Sequence, residues 1–111
     1  MKTSLKIAAL GASLLVAGTI SQAAPASENW EANCAKCHGA DGKGETKVGK
    51  KLKVKDYTDA AVQAKLTDDE LLKAITTGVK EGEKEKMKAF NDVLTKEEIA
   101  DLVAFVRKFK S

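Results

Sequence analysis

Apolar residues gather at the two ends of this chain in two different patterns. Ile7 to Ile20 is a charge-free, mostly apolar run with no polar face. Near the other end, Ile99, Leu102, Val103 and Val106 recur at helical spacing among charged neighbours, with Phe105 and Phe109 beside them. Thr95-Lys96-Glu97-Glu98 opens this predicted helix as a capping box, and Lys108 and Lys110 sit at its negative end. Thr67-Asp68-Asp69-Glu70 repeats that start signal, followed by Leu71, Leu72, Ile75 and Val79 at helical spacing, with Gly78 as the predicted stop. A short helix is expected around Asp59 to Lys65. A first helix carries Trp30, with Ser27 as its expected cap and Glu28 at its positive end. Gly39 to Gly44 and the lysine-rich stretch from Lys43 to Lys55 have no regular period, and Lys80 to Leu94 reads as a surface loop. Strand alternation is almost absent.

The apolar run near the start belongs to a different argument. Lys2 and Lys6 precede it, and the small residues Ser21, Ala23, Ala24 and Ala26 follow, which is the order of a secretory signal peptide. Fourteen helical residues span roughly 21 Å, short of the ~30 Å hydrocarbon layer, so a retained membrane anchor is not expected. Residues 1–23 are read as a cleaved leader, with a cut after Ala26 as the alternative. Residues 24–111 then form one domain, located in the periplasm or otherwise exported. With Lys2 and Lys6 gone, seventeen basic residues face sixteen acidic ones, and the net charge of +3 falls to +1. Such a balance gives no support for nucleic-acid binding.

A domain this small is often marginal without a disulfide, metal or cofactor. The two cysteines and the single histidine of the chain all fall within Cys34-Ala35-Lys36-Cys37-His38. A Cys34–Cys37 disulfide is one reading, but a thioredoxin-like site needs a βαβ setting. Zinc is another, but a structural site wants four Cys or His ligands and the chain has three. The third is covalent haem, with thioethers at Cys34 and Cys37 and the iron on His38, and the C-x-x-C-H spacing favours it. A second axial position then needs a ligand. The chain has no second histidine, and Met1 leaves with the leader, so Met87 is the remaining thioether. A methionine filling a core gap is the alternative role, but Lys84, Glu85, Lys86 and Lys88 around it suggest a surface loop. A lysine ligand or an open position are the other possibilities.

From about Ser27 to Lys110 the chain resembles the small class I bacterial monohaem cytochromes c. The resemblance rests on Trp30 before Cys34, the run Cys34 to Gly44, Met87 and Phe90 ahead of a closing helix, and Ile99 to Val106 within it. It implies an all-α cytochrome c fold of about three to five helices wrapped around one haem, the first and last crossing where Trp30 meets Phe105. It also implies a propionate contact for Tyr57. Lys88 stands where relatives commonly have a Pro after the ligand Met. Ala26 stands where many have a Gly.

The expected function is electron carriage through one haem c with His38 and Met87 as axial ligands, not enzyme catalysis. A haem enzyme or gas sensor would need the Met87 side open, and the chain has no distal His; its one Arg, Arg107, lies in the last helix. A haem-free binding module is the third class. The expected partners are redox proteins, with an acidic patch facing lysines that border the haem edge: Lys36, Lys43, Lys47, Lys50, Lys51, Lys53 and Lys55 on one side and Lys84, Lys86 and Lys88 on the other. A monomer is the expected state.

Overall fold

A computed structural model describes residues 24–110, so the leader expected over residues 1–23 lies outside the described residues. The chain order is α1 (Ala26–Asn33), α2 (Ala35–His38), α3 (Lys47–Leu52), α4 (Ala60–Lys65), α5 (Asp68–Thr77), β1 (Val79–Glu81), β2 (Lys84–Met87) and α6 (Lys96–Arg107). The expected all-helical cytochrome c architecture is the one adopted. Among the described residues six helical segments stand where three to five were expected, partly because one helical run is divided at Cys34 into α1 and α2.

Both long helices begin as the sequence predicts. Thr67 and Thr95 each accept a hydrogen bond from the backbone N–H three residues on, and Glu70 and Glu98 each reach back to the cap residue. Two otherwise orphaned donors per helix are satisfied this way. Gly78 ends α5 at φ +80°, as expected. In α1 the expected cap is corrected. Ser27 lies inside the first turn, and the helix starts from Pro25, whose carbonyl accepts from Glu28 N and Asn29 N. Proline suits that edge, having a fixed φ and no N–H to satisfy.

The core forms where α1 packs against α6 and α5 packs against α6. Ile99, Leu102, Val103 and Val106 are all buried, and Leu102 is wholly enclosed. Trp30 and Phe105 meet as expected, with ring centroids 5.6 Å apart; Phe109 closes on Trp30 at 4.9 Å and meets Phe105 edge-on. Leu71 and Ile75 are buried, but Leu72 and Val79 are not. Val79 has left the helix, and Leu72 sits one step off the core-facing stripe.

Two elements escaped the sequence reading. The lysine-rich segment contains α3, capped by Thr46, and the charged segment after Gly78 forms a two-stranded hairpin. Val79 pairs with Met87 and Glu81 with Lys84, with an irregularity after Val79 and the turn at Gly82.

A buried polar link joins α4 to α6. Gln63 Nε2 donates to the Tyr57 carbonyl at 2.7 Å and to the Val106 carbonyl at 2.8 Å. Arg107 Nη1 donates to Gln63 O and Oε1, its Nη2 to the Leu66 carbonyl, and its Nε to Asp68 at 2.9 Å. The lone arginine is thus a clamp on the α4–α5 corner, a use that its fork of donors suits.

Candidate functional site

The site begins at the break between α1 and α2. Cys34 N–H bonds back to the Trp30 carbonyl, and His38 N–H bonds to the Cys34 carbonyl, so helical turns run through the motif. Cys34 and Cys37 are free thiols, Cys34 buried and Cys37 half-buried. Burial, and secondarily the neighbouring Cys37, push the Cys34 thiol up to about 11.

His38 is fixed by rings. Trp30 lies 5.6 Å from it, and Tyr57 stacks on it at 5.3 Å and 29°. Trp30 Nε1 in turn donates to the Gly39 carbonyl at 2.9 Å, anchoring the indole to the end of the motif. Burial lowers the His38 pKa, so the imidazole is neutral, which is the form that binds metals. Its Nδ1 is buried without a hydrogen-bond partner among the described residues. Orientation therefore comes from ring packing. A ligand histidine more usually has its second nitrogen bound to a carbonyl or carboxylate.

Two glycines allow distant segments to approach the motif. Thr46 Oγ1 donates to the Cys37 carbonyl at 2.7 Å and accepts from Gly49 N at 2.8 Å, which docks α3 on α2. A Cβ at Gly49 would run into the Cys37 carbonyl oxygen and lie 2.6 Å from that of Gly44. At Gly78, a Cβ would lie 2.6 Å from the Met87 carbonyl oxygen and 2.9 Å from Ala89 N. That approach brings the Met87 strand across the end of α5, and Phe90 N–H then bonds to the Ile75 carbonyl at 2.9 Å.

The result is one cavity of about 450 Å³. Cys34, Cys37, His38, Tyr57 and Met87 all line it. So do Leu52 at the end of α3 and Val54 just after it, together with Ala74, Val79 and Phe90. Every site residue picked out from the sequence is therefore brought to the same space. Its size and its mix of apolar walls with a few polar groups fit a cofactor. Among the described residues no three His, Cys, Asp or Glu side chains converge on a point as for a small bound ion. The donors instead surround a space, as an extended ring system would require. Five lysines also reach this cavity: Lys36, Lys53, Lys55, Lys86 and Lys88. The other lysines named from the sequence, Lys43, Lys47, Lys50, Lys51 and Lys84, are not among its lining residues.

The family model described as cytochrome c oxidase, cbb3-type, subunit III matches residues 21–106. The chain belongs to this family of c-type cytochromes. A solved structure described as KustC0563 c-type cytochrome is 34% identical, with a TM-score of 0.71, over 79% of this chain and 100% of that one. A second, a tyrosine-to-phenylalanine mutant of Kustc0563, is also 34% identical, with a TM-score of 0.68, over 78% of this chain and all of that one. No curated protein matches the chain. The fold and the recognition of a small monohaem c-type cytochrome thus rest on sequence family and on structure together.

The sequence reading missed Gly49, Gly78 and Gln63 as supports of the site. Gly78 carried a signal as a helix stop, but its second role as the crossing point for the Met87 strand did not. Nothing local marks Gly49 or Gln63, because their partners lie in other segments.

Proposed function

We propose that this c-type cytochrome is an exported carrier of single electrons that holds one haem c through thioethers at Cys34 and Cys37. The assigned axial ligands are His38 and Met87. The observation that best supports this is the single cavity on which two thiols, a neutral imidazole and a thioether meet, with apolar walls between them. When bound, the haem supplies an iron that changes charge by one electron. The chain's own residues do the rest. Trp30 and Tyr57 hold the His38 ring in place. Met87 offers a soft sulfur, which favours the reduced state more than a nitrogen ligand would. Leu52, Val54, Ala74 and Phe90 keep water from the cavity walls, and Tyr57 is the assigned hydroxyl donor to a haem propionate. A haem held by both His38 and Met87 would leave no coordination site open for a substrate, which supports a carrier over an enzyme.

Among the described residues no helix is long and apolar enough to cross a membrane. The leader read in residues 1–23 supports export to the periplasm, and the domain is taken to act as a monomer without a stable membrane anchor.

The partner is a redox protein with an acidic patch. Lys36, Lys53 and Lys55 from the first lysine group and Lys86 and Lys88 from the second all line this cavity. Positive charge at a transfer edge speeds encounter without tight binding. Exchange with an acidic partner is expected to slow as salt rises from about 10 to 150 mM, where the screening length shortens from roughly 30 to 8 Å. Charge reversal at Lys53 or Lys55 should slow it more than reversal at Lys65 or Lys110. A flat salt response would rule these lysines out as the docking site.

Acid–organic extraction of the exported protein tests the attachment. Haem that stays on the chain, and is lost from the protein when Cys34 and Cys37 are both replaced by Ala, is the expected result. Haem that washes out completely overturns the proposal.

A further inference from the structure

Ala24 donates its backbone N–H to Glu98 Oε2 at 3.0 Å. The same oxygen accepts from Asn29 Nδ2 at 3.2 Å, and that amide also reaches the Ala24 carbonyl at 3.4 Å. Asn29 is buried, with 7% exposure, so its amide has been placed there and not left in solvent. The other Glu98 oxygen accepts from Thr95 N at 2.9 Å and completes the cap of α6. Pro25, next in the chain, supplies the carbonyl that starts α1. Both backbone groups of Ala24 are therefore tied to the domain, on elements from its two ends.

At Ala24 the Glu98 carboxylate meets a neutral peptide N–H, and an ammonium in the same place would add a full opposite charge to that bond. The Thr95, Ala24 and Asn29 hydrogen bonds hold Glu98 below the ordinary carboxylate value, so it is ionised at neutral pH.

We propose that Glu98, with Asn29 holding its carboxylate and the Ala24 carbonyl in place, receives the α-ammonium group created when the leader is cut between Ala23 and Ala24. This rests on residues 1–23 being an export signal. The step is a hydrolysis by a leader-removing peptidase. The Ala23–Ala24 amide bond breaks, and one water is divided between the products, leaving a carboxylate on Ala23 and an ammonium on Ala24. The nitrogen that offers one N–H before the cut then offers three, with a full charge, to a carboxylate already in place. A cut after Ala26 would remove Ala24 and Pro25, and with them the acceptor of Glu28 N and Asn29 N and one partner of the buried Asn29 amide. The structure therefore assigns the first cut site and makes processing a stabilising event that links α1 to α6.

The exported, haem-bearing protein provides the test. Its intact mass should place the first residue at Ala24. A chain that keeps Met1 overturns the export reading and this inference with it, whereas a chain starting at Ser27 overturns this inference alone. Glu98→Gln is then compared in two backgrounds, the mature chain and one with a single Gly before Ala24, which moves the ammonium ~3.8 Å along the chain. Gln still serves in a capping box, so α6 keeps its start. In the mature chain the substitution should lower the melting temperature by roughly 2–5 °C. It should also raise α-amine reactivity towards an acylating reagent about threefold, as a half-unit fall in pKa requires. In the extended chain the reactivity effect should nearly vanish and the melting-temperature loss should be clearly smaller, leaving only the Thr95, Asn29 and peptide N–H bonds to Glu98 to be weakened. Equal effects in the two backgrounds, or none in the mature one, overturn the proposal.

Discussion

Gly49→Ala sets two effects of opposite sign against each other. Gly49 lies within α3, and on helix propensity alone Ala should stabilise the chain by about 1 kcal/mol. The structure requires the opposite. A Cβ there would run into the Cys37 carbonyl oxygen, with Gly44 O at 2.6 Å and Thr46 Oγ1 at 2.8 Å. Two of these atoms are backbone and cannot turn aside, so α3 must move off α2. That movement breaks Thr46 Oγ1 to Cys37 O, worth about 1 kcal/mol, while the bond from Gly49 N to Thr46 Oγ1 travels with α3 as its cap. Local overpacking adds ~1–3 kcal/mol. Against the propensity gain the net loss is about 1–3 kcal/mol, or roughly 5–20 °C in melting temperature for a domain of this size. Thermal and denaturant unfolding of the holoprotein would measure it. Stabilisation by the propensity amount would refute the docking of α3 on the motif.

Three further outcomes follow from the same contacts. Gln63→Leu keeps the volume but takes the side-chain donor from the Tyr57 carbonyl, one of two donors from the Val106 carbonyl and one acceptor from the Arg107 guanidinium, and should cost about 2–3 kcal/mol by urea unfolding. Hydrogen bonds from Thr58, Thr67 and Thr95 respectively lower the pKa values of Asp56, Glu70 and Glu98 from the ordinary 3.8, 4.5 and 4.5. The unfolded chain then binds more protons, so stability is lost as pH falls through those values, and Glu70→Gln should flatten the slope in an acid titration of stability. Met87→Ala should open the iron's sixth position to cyanide and lower the reduction potential by spectroelectrochemistry. Unchanged cyanide binding and potential would make Met87 a packing residue.

Legibility in the sequence followed the range of the interaction. The two capping boxes are four-residue signals, and α5 and α6 begin where they stand. The stripe of α6 is fully buried, while Leu72 and Val79 at the end of the α5 pattern are not, since periodicity does not say where a helix will be left behind. The hairpin was illegible because Glu81, Lys84, Glu85 and Lys86 carry no apolar alternation; it is set by pairing and by the turn at Gly82. In the site, Cys34, Cys37 and His38 are local and were read directly. Met87 was reached by elimination, and its approach depends on Gly78 meeting backbone distant in sequence. The Tyr57 stack on His38 had no sequence signal beyond an aromatic in a polar loop.

The visible spectrum of the exported protein, recorded oxidised and reduced, bears most directly on the central proposal of a His38–Met87 haem carrier. Sharp low-spin bands on reduction, with a weak sulfur-to-iron charge-transfer band in the oxidised form that disappears in Met87→Ala, are the expected result. High-spin bands, or a charge-transfer band that survives the substitution, would contradict it.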